Sequence, residues 1–277
     1  MQSTNPVFTR SQNFTQPAPQ GYPTSGYGQQ PYGQPGYGPE PWAQPAPQQT
    51  APEGVMTIDD VITKTAVTMG VLVLTAAITF MFIPQALLYP ALIVSGIVGF
   101  VTVLMVSLRR KINPAFVLAY SAIEGVFIGA FSLLFAMMFD PSIVIQAVLA
   151  TFVAAGATLA AYKVLRVRVT NQFRRIVTMA TFAFAGLVLV NLVLSLFGIN
   201  LGVRTVGGGF NAMAILISLV AVVLAVANLI MDFDYIEQGV RNRLPASESW
   251  RGAFGLTVTM VWLYTELLRI LSYFRSN

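Results

Sequence analysis

From residue 65 onward the chain repeats one pattern, a long apolar run followed by a short polar break. Seven such runs can be drawn, at 65–83, 86–108, 115–139, 142–165, 175–199, 210–231 and 252–273. Each is close to the roughly 20 residues that cross ~30 Å of hydrocarbon. The breaks between them are short, which predicts an all-α fold, a compact bundle of seven transmembrane helices. Just ahead of the first run, TIDDVITKTAV predicts an amphipathic helical start. Thr57 is placed to cap it, and Asp59 and Asp60 fall in the first turn, where the helix dipole favours negative charge.

Residues 1–54 carry no such pattern. The stretch GYPTSGYGQQPYGQPGYGPEPW consists largely of Gly, Gln, Pro and Tyr, with tyrosines at 22, 27, 32 and 37. No apolar face can be drawn through it, and its Pro and Gly content opposes regular structure, so a disordered tail is expected. Two roles are open to it: a solvated cytoplasmic tail, or a segment whose regularly spaced tyrosines bind a protein partner or one another. The chain then divides into a tail, 1–54, and a membrane domain, 55–277. No apolar run begins before residue 60, so a signal peptide is not expected.

Composition supports the membrane reading and narrows the chemistry. Only 10% of the 277 residues are charged while 55% are hydrophobic, against about 25% charge in an average soluble domain. Cys and His are both absent. That removes disulfides, thiol nucleophiles, the usual zinc ligands and the commonest acid–base side chain. Any proton chemistry therefore rests on carboxylates, and the chain has eleven of them. No enzymatic activity and no resident cofactor are expected.

Lys and Arg set an orientation. If the N-terminus lies inside, the inner segments hold Lys64, Arg109, Arg110, Lys111, Lys163, Arg166, Arg168, Arg174, Arg175, Arg241, Arg243 and Arg251. The outer side holds Arg204, Arg269 and Arg275. By the positive-inside rule the tail is cytoplasmic and the C-terminus outside. The net charge of +5 is thereby a topology signal, and nucleic-acid binding gains no support from it.

Four acids fall within or beside the apolar runs: Glu124, Asp232, Asp234 and Glu266. An acid at the centre of a membrane helix costs about 2.5–3.5 kcal/mol on insertion scales, so each needs a reason. Glu124 lies ~14 Å into the third run at 1.5 Å per residue, close to mid-membrane. Gly125 and Gly129 beside it form a small-xxx-small pair that admits a neighbouring helix, and Tyr120, one turn earlier, is placed to donate a hydrogen bond. Two readings stand for Glu124, packing glue or the lining of a polar path.

Asp232 and Asp234 are separated by about 200° around a helix and cannot act as a pair. Asn228 shares a face with Asp232, which makes Asp232 the inward, functional acid. Asp234 shares a side with Glu237 and Gln238 and is expected at the solvated edge. Glu266 stands ~21 Å along the seventh run, beyond the midplane, and Arg269 is placed for a local ion pair with it.

Together MTIDDVITKTA, NPAFVLAYSAIEGVFIGAFS, IMDFDYIEQG and LYTELLRIL resemble, in this order, segments of the Bax inhibitor-1-like (transmembrane Bax inhibitor motif) family in its bacterial branch. The resemblance covers about 55–275 and leaves the tail outside. It implies six helices around a central seventh, a bacterial plasma-membrane location, and a pH-sensitive calcium leak. It further implies two acids, on the sixth and seventh helices, that share a proton and gate the path. Asp232 matches the first. Matching on the Leu-Tyr-x-acid segment puts the second at Glu266; matching on the following Leu-Leu-Arg puts Thr259 there instead. Depth favours Thr259, which is only ~10 Å into its run. Glu124 resembles an acid that the family carries on its third helix.

The leading expectation is therefore passive flux of Ca²⁺ or H⁺ through the bilayer, gated at Asp232, with Asn228, Thr259, Glu266 and Glu124 along the pathway. Ca²⁺ takes six to eight oxygens, so a site at Asp232 is expected to hold the ion weakly and transiently. The alternative is a membrane-embedded regulator that binds a protein complex through its tail. An intramembrane aspartyl protease would need two acids at one depth, and neither that geometry nor a Gly-x-Gly-Asp motif is found.

Overall fold

The structure, a computed structural model, describes residues 54–109, 111–165, 167–199 and 212–275. The expectation of a disordered tail concerns residues that, apart from Gly54, lie outside those described, as do Arg110, Arg166 and Arg204. Seven helices follow in chain order: α1 (Ile58–Phe82), α2 (Gln85–Leu108), α3 (Pro114–Met138), α4 (Ser142–Val164), α5 (Asn171–Leu196), α6 (Ala212–Arg241) and α7 (Glu248–Arg275). All seven are long and apolar enough to cross a membrane.

Local chemistry explains where several of them begin. Thr57 accepts from the Asp60 N–H and caps α1, so the amphipathic start and the first apolar run form one helix. Asn113 caps α3 through the Ala115 N–H, with Pro114 in the first turn where its missing donor costs nothing. Thr170 caps α5 by accepting from Phe173. The Asp140 carboxylate accepts from the Ser142 N–H at 2.7 Å and opens α4.

Two helices outrun their apolar stretches. α6 continues to Arg241 instead of stopping at 231, and α7 begins at Glu248, one turn ahead of 252. The extra turns bring polar side chains together at the end of the bundle where α6 passes into α7. There Lys64 donates to the Ala246 carbonyl, Tyr162 to Glu237, and Arg174 to Asp234. Residues 54–56 are pinned to the same turn, with Met56 N–H on the Leu244 carbonyl and Ala246 N–H on that of Gly54.

The seventh helix is the central one, and the ring around it is uneven. The backbones of α1, α3, α4 and α6 pack directly on α7, whereas α2 packs on α3 and α5 on α6. α2 reaches α7 through Val106, which joins a buried cluster with Tyr120 and Phe254. α5 reaches it through Phe184, stacked on Trp262 at 5.5 Å. α7 is also the least apolar of the seven, as a helix that faces protein instead of lipid can be.

Lipid tails are as apolar as Leu, so helix association in a membrane depends on close packing and interhelical hydrogen bonds. α7 makes at least one such bond with each of four neighbours. Thr257 meets Thr68 of α1 at 3.0 Å, and Thr259 donates to Asp232 of α6 at 2.6 Å. Tyr264 meets Ser132 of α3 at 2.6 Å, and Arg275 donates to Ser142 of α4 at 2.9 Å. Thr257 and Thr259 point about 200° apart, which is why they serve α1 and α6 on opposite sides.

The small pair on α3 has a specific partner. A Cβ on Gly125 would strike the Thr75 hydroxyl and stand 2.5 Å from the Leu72 carbonyl; one on Gly129 would strike the Ala76 carbonyl. α1 and α3 thus cross at backbone contact, and only hydrogen fits at those two positions.

Candidate functional site

The site forms where α6 and α7 cross near their shared turn. Thr259 Oγ1 lies 2.6 Å from Asp232 Oδ2 and donates to it. On the other side of the carboxylate stands Gly255, where an added Cβ would come within 3.1 Å of Asp232 Oδ1. The acid is therefore gripped between a hydroxyl and a bare stretch of helix backbone one turn apart. It also lines a cavity of about 290 Å³ together with Val106, Ser107, Ile112, Tyr235, Arg251, Gly252, Phe254 and Gly255.

Spacing on α7 organises this cavity. Arg251, Gly255 and Thr259 recur every four residues and share one face of the helix. They present in turn a cation, a gap and a hydroxyl to α6. Arg251 Nε donates to Glu248 Oε2 at 2.7 Å, one turn back. The Tyr235 hydroxyl, one turn beyond Asp232 on α6, donates to the same oxygen at 2.7 Å. Arg251 Nη2 reaches the Arg109 carbonyl at the end of α2 at 3.4 Å. From sequence Arg251 stood out only as an inner-side cation, and Gly255, Tyr235 and Glu248 did not stand out at all. The Glu248–Arg251 spacing of a helical ion pair was the available signal.

Three expectations about side-chain partners need correction. Asn228 does not face Asp232: its amide donates to Thr181 of α5 at 2.8 Å and to the Leu224 carbonyl at 2.8 Å. Four residues along a helix turn by about 40°, and because α6 lies between α5 and α7 that turn carries the two side chains to different neighbours. Asp234 is not a solvated edge residue. It is buried, pairs with Arg174 of α5 at 2.8 Å, and accepts from Gln238 at 2.7 Å. The continuation of α6 past the apolar run places it against α5 instead of water. Tyr120 does not hydrogen-bond Glu124 among the described residues. Its ring packs edge-on to Phe254 of α7, centroids 5.2 Å apart.

Glu124 faces α2. A Cβ on Gly99 would stand 2.8 Å from Glu124 Oε2, and Ser95, Gly99 and Thr102 form a buried small-residue strip on that helix. Glu266 is separated from the Asp232 region by two turns, ~10 Å along α7. It is almost fully buried and lies 3.9 Å from Arg269 Nε in the expected i,i+3 pair. Arg269 in turn lies over the Phe131 ring at 5.9 Å. The side chain on α7 that meets Asp232 is Thr259, and Glu266 belongs to a different arrangement on the same helix.

Among the described residues no three acidic side chains gather closely enough to hold a metal ion. A divalent ion at Asp232 would meet one carboxylate, the Thr259 hydroxyl and otherwise backbone and water, short of the donor set that Ca²⁺ prefers.

The fold and the polar spine of α7 define an integral membrane protein built as a seven-helix bundle around its last helix. The family model described as Bax inhibitor 1 like matches residues 5–276, and the chain belongs to that family. The match reaches back to residue 5 and so takes in the tyrosine-rich segment that the sequence resemblance had left outside. A search of curated proteins finds no match.

Proposed function

We propose that the protein is a passive cation pathway, carrying Ca²⁺ or H⁺, with Asp232 as its gate. The observation that carries this reading is the cavity with an acid in its wall, held by Thr259 and closely approached by Gly255. An intramembrane acid that lines a cavity and is held from a neighbouring helix is a functional-site hypothesis by default. A single carboxylate suits a leak, where an ion must enter and leave readily, better than a store. Glu124, held against the small-residue strip of α2, is the second acid of the pathway. The protein performs no chemistry on a substrate and carries no resident cofactor. In this reading the cavity opens to the cytoplasm of a bacterial cell, the C-terminus of α7 is outside, and the basic residues near the α6–α7 turn retain the inner side.

Purified protein in liposomes with an entrapped indicator dye tests the assignment, with Ca²⁺, H⁺, K⁺ and Na⁺ compared. Flux of Ca²⁺ or H⁺ above protein-free liposomes is the expected result; none for any cation would refute the pathway.

A second reading has its own support. Residues 54–56 are pinned to the α6–α7 turn, so a protein partner bound to the tyrosine-rich segment would pull on the two helices that hold Asp232. Deletion of residues 1–53 separates the readings. A cellular phenotype lost while flux in liposomes persists favours the tail-bound regulator, and a phenotype kept while flux is lost favours the pathway.

A further inference from the structure

The geometry points to Arg251 as the charge filter at the mouth of the Asp232 cavity, a fixed positive group that cations must pass before they meet the acid. This inference rests on the cavity being a cation route, but it concerns only the electrostatics of the mouth and can be read without any flux.

Arg251 and Asp232 line the same cavity of about 290 Å³. Arg251 stands one turn before Gly255, and Gly255 is the residue whose backbone approaches Asp232 Oδ1. Along α7 the cation therefore precedes the acid by about 6 Å. Of the α7 residues that line the cavity it is the nearest to the helix start, and its side chain is about a quarter exposed.

The counter-charge is placed asymmetrically. Glu248 holds Arg251 Nε at 2.7 Å, yet Arg251 lines the cavity and Glu248 does not. Of the two, only Arg251 is part of the cavity lining. Glu248 is fixed by the Tyr235 hydroxyl, so the pair has little freedom to reverse. Arg251 Nη2 also points to the Arg109 carbonyl, which spans the guanidinium from α7 to the end of α2. The Arg109 guanidinium itself lies over the Phe116 ring, 4.2 Å from its centroid. Of the residues that line the cavity, Arg251 is the cation and Asp232 the acid, and in the proposed filter they form a positive rim and a negative wall. The rim slows cation entry, while the wall offers an anion no favourable place to rest. Glu248 tunes the rim by partly neutralising it.

The chain contains no cysteine, so a single introduced thiol reports on its own surroundings. Ser107 lines the cavity and is exposed; Ser107→Cys, in otherwise unaltered full-length protein in liposomes, is treated with a cationic or an anionic methanethiosulfonate. The anionic reagent is expected to react faster, relative to the same pair acting on a free thiol. Arg251→Gln should lower that anion-to-cation ratio by about tenfold at low salt, Arg251→Lys should preserve it, and Glu248→Gln should raise it. A ratio unchanged by Arg251→Gln would overturn the filter, and an unreactive thiol would overturn the open mouth it requires. If the ratio shifts while no cation crosses the membrane, the filter stands and the flux reading fails.

Discussion

Thr259 on α7 donates its hydroxyl proton to Asp232 on α6 across 2.6 Å, and this bond joins the two helices at the wall of the cavity. Thr259→Val keeps the shape and removes the donor. Because the cavity lets water reach the carboxylate, the loss should stay near the low end of the cost of an unsatisfied acceptor, about 1 kcal/mol. Thermal unfolding in detergent should show this small loss, with Thr259→Ser restoring the wild-type midpoint. An unchanged midpoint in the valine variant would mean that the bond contributes nothing to holding α6 on α7.

The crossing of α1 and α3 is expected to be far less tolerant. A methyl group at Gly125 or Gly129 has no room, since backbone carbonyls of Leu72 and Ala76 stand in its place. Gly125→Ala and Gly129→Ala should each destabilise the protein by about 1–3 kcal/mol, the usual cost of overpacking. Gly156→Ala is the control, because a Cβ there meets nothing within 4 Å. Equal unfolding midpoints for all three variants would contradict the crossing.

Among the described residues α5 packs its backbone on α6 alone, so its few polar ties should govern its motion. Asp234→Asn weakens the pair with Arg174. Arg174 is about half exposed, so solvent screens the pair and the loss in global stability should be roughly 1 kcal/mol or less. The larger effect should be local: faster amide hydrogen exchange in the first turns of α5, with α3 unaffected. Uniform exchange across both helices would argue against a loosely tied α5.

At the opposite end of the bundle, Asp140 makes a pH-dependent contribution. The Ser142 hydroxyl and N–H, and then the Arg275 guanidinium, hold its carboxyl below the ordinary value of 3.8. A group with a lowered folded-state value stabilises fully above the unfolded value and loses that contribution as pH falls through the folded one. Asp140→Asn should therefore unfold more readily than wild type near neutrality, and the two should converge in strong acid. A gap that widens on acidification would reverse the sign and contradict the arrangement.

The membrane fold was legible because hydrocarbon thickness imposes a length on every helix, and seven runs of that length stood out. Less legible was where α6 ends, since hydropathy falls at 231 while hydrogen bonding continues to Arg241. That misplacement made Asp234 look solvated. Helical rotation separates Asp232 from Asp234 as expected, but Asn228, on the same face as Asp232, turns to α5, because a face of α6 can touch two helices. Glu266 and its partner Arg269 were visible as an i,i+3 pair within one helix. The roles of Gly255 and Arg251 at the cavity were not visible, because they depend on which helix lies opposite α7 at that height, and a single sequence does not specify helix neighbours.

The most direct test of the central claim is Ca²⁺ and H⁺ flux through purified Asp232→Asn protein in liposomes, followed beside wild type across a pH series spanning neutrality. Asn keeps the size and can still accept from Thr259, but it cannot change its charge. The account predicts that wild-type flux varies with pH and that the Asn variant either conducts without pH dependence or stays closed throughout. Flux of the same size and pH profile in both proteins would contradict Asp232 as the gate.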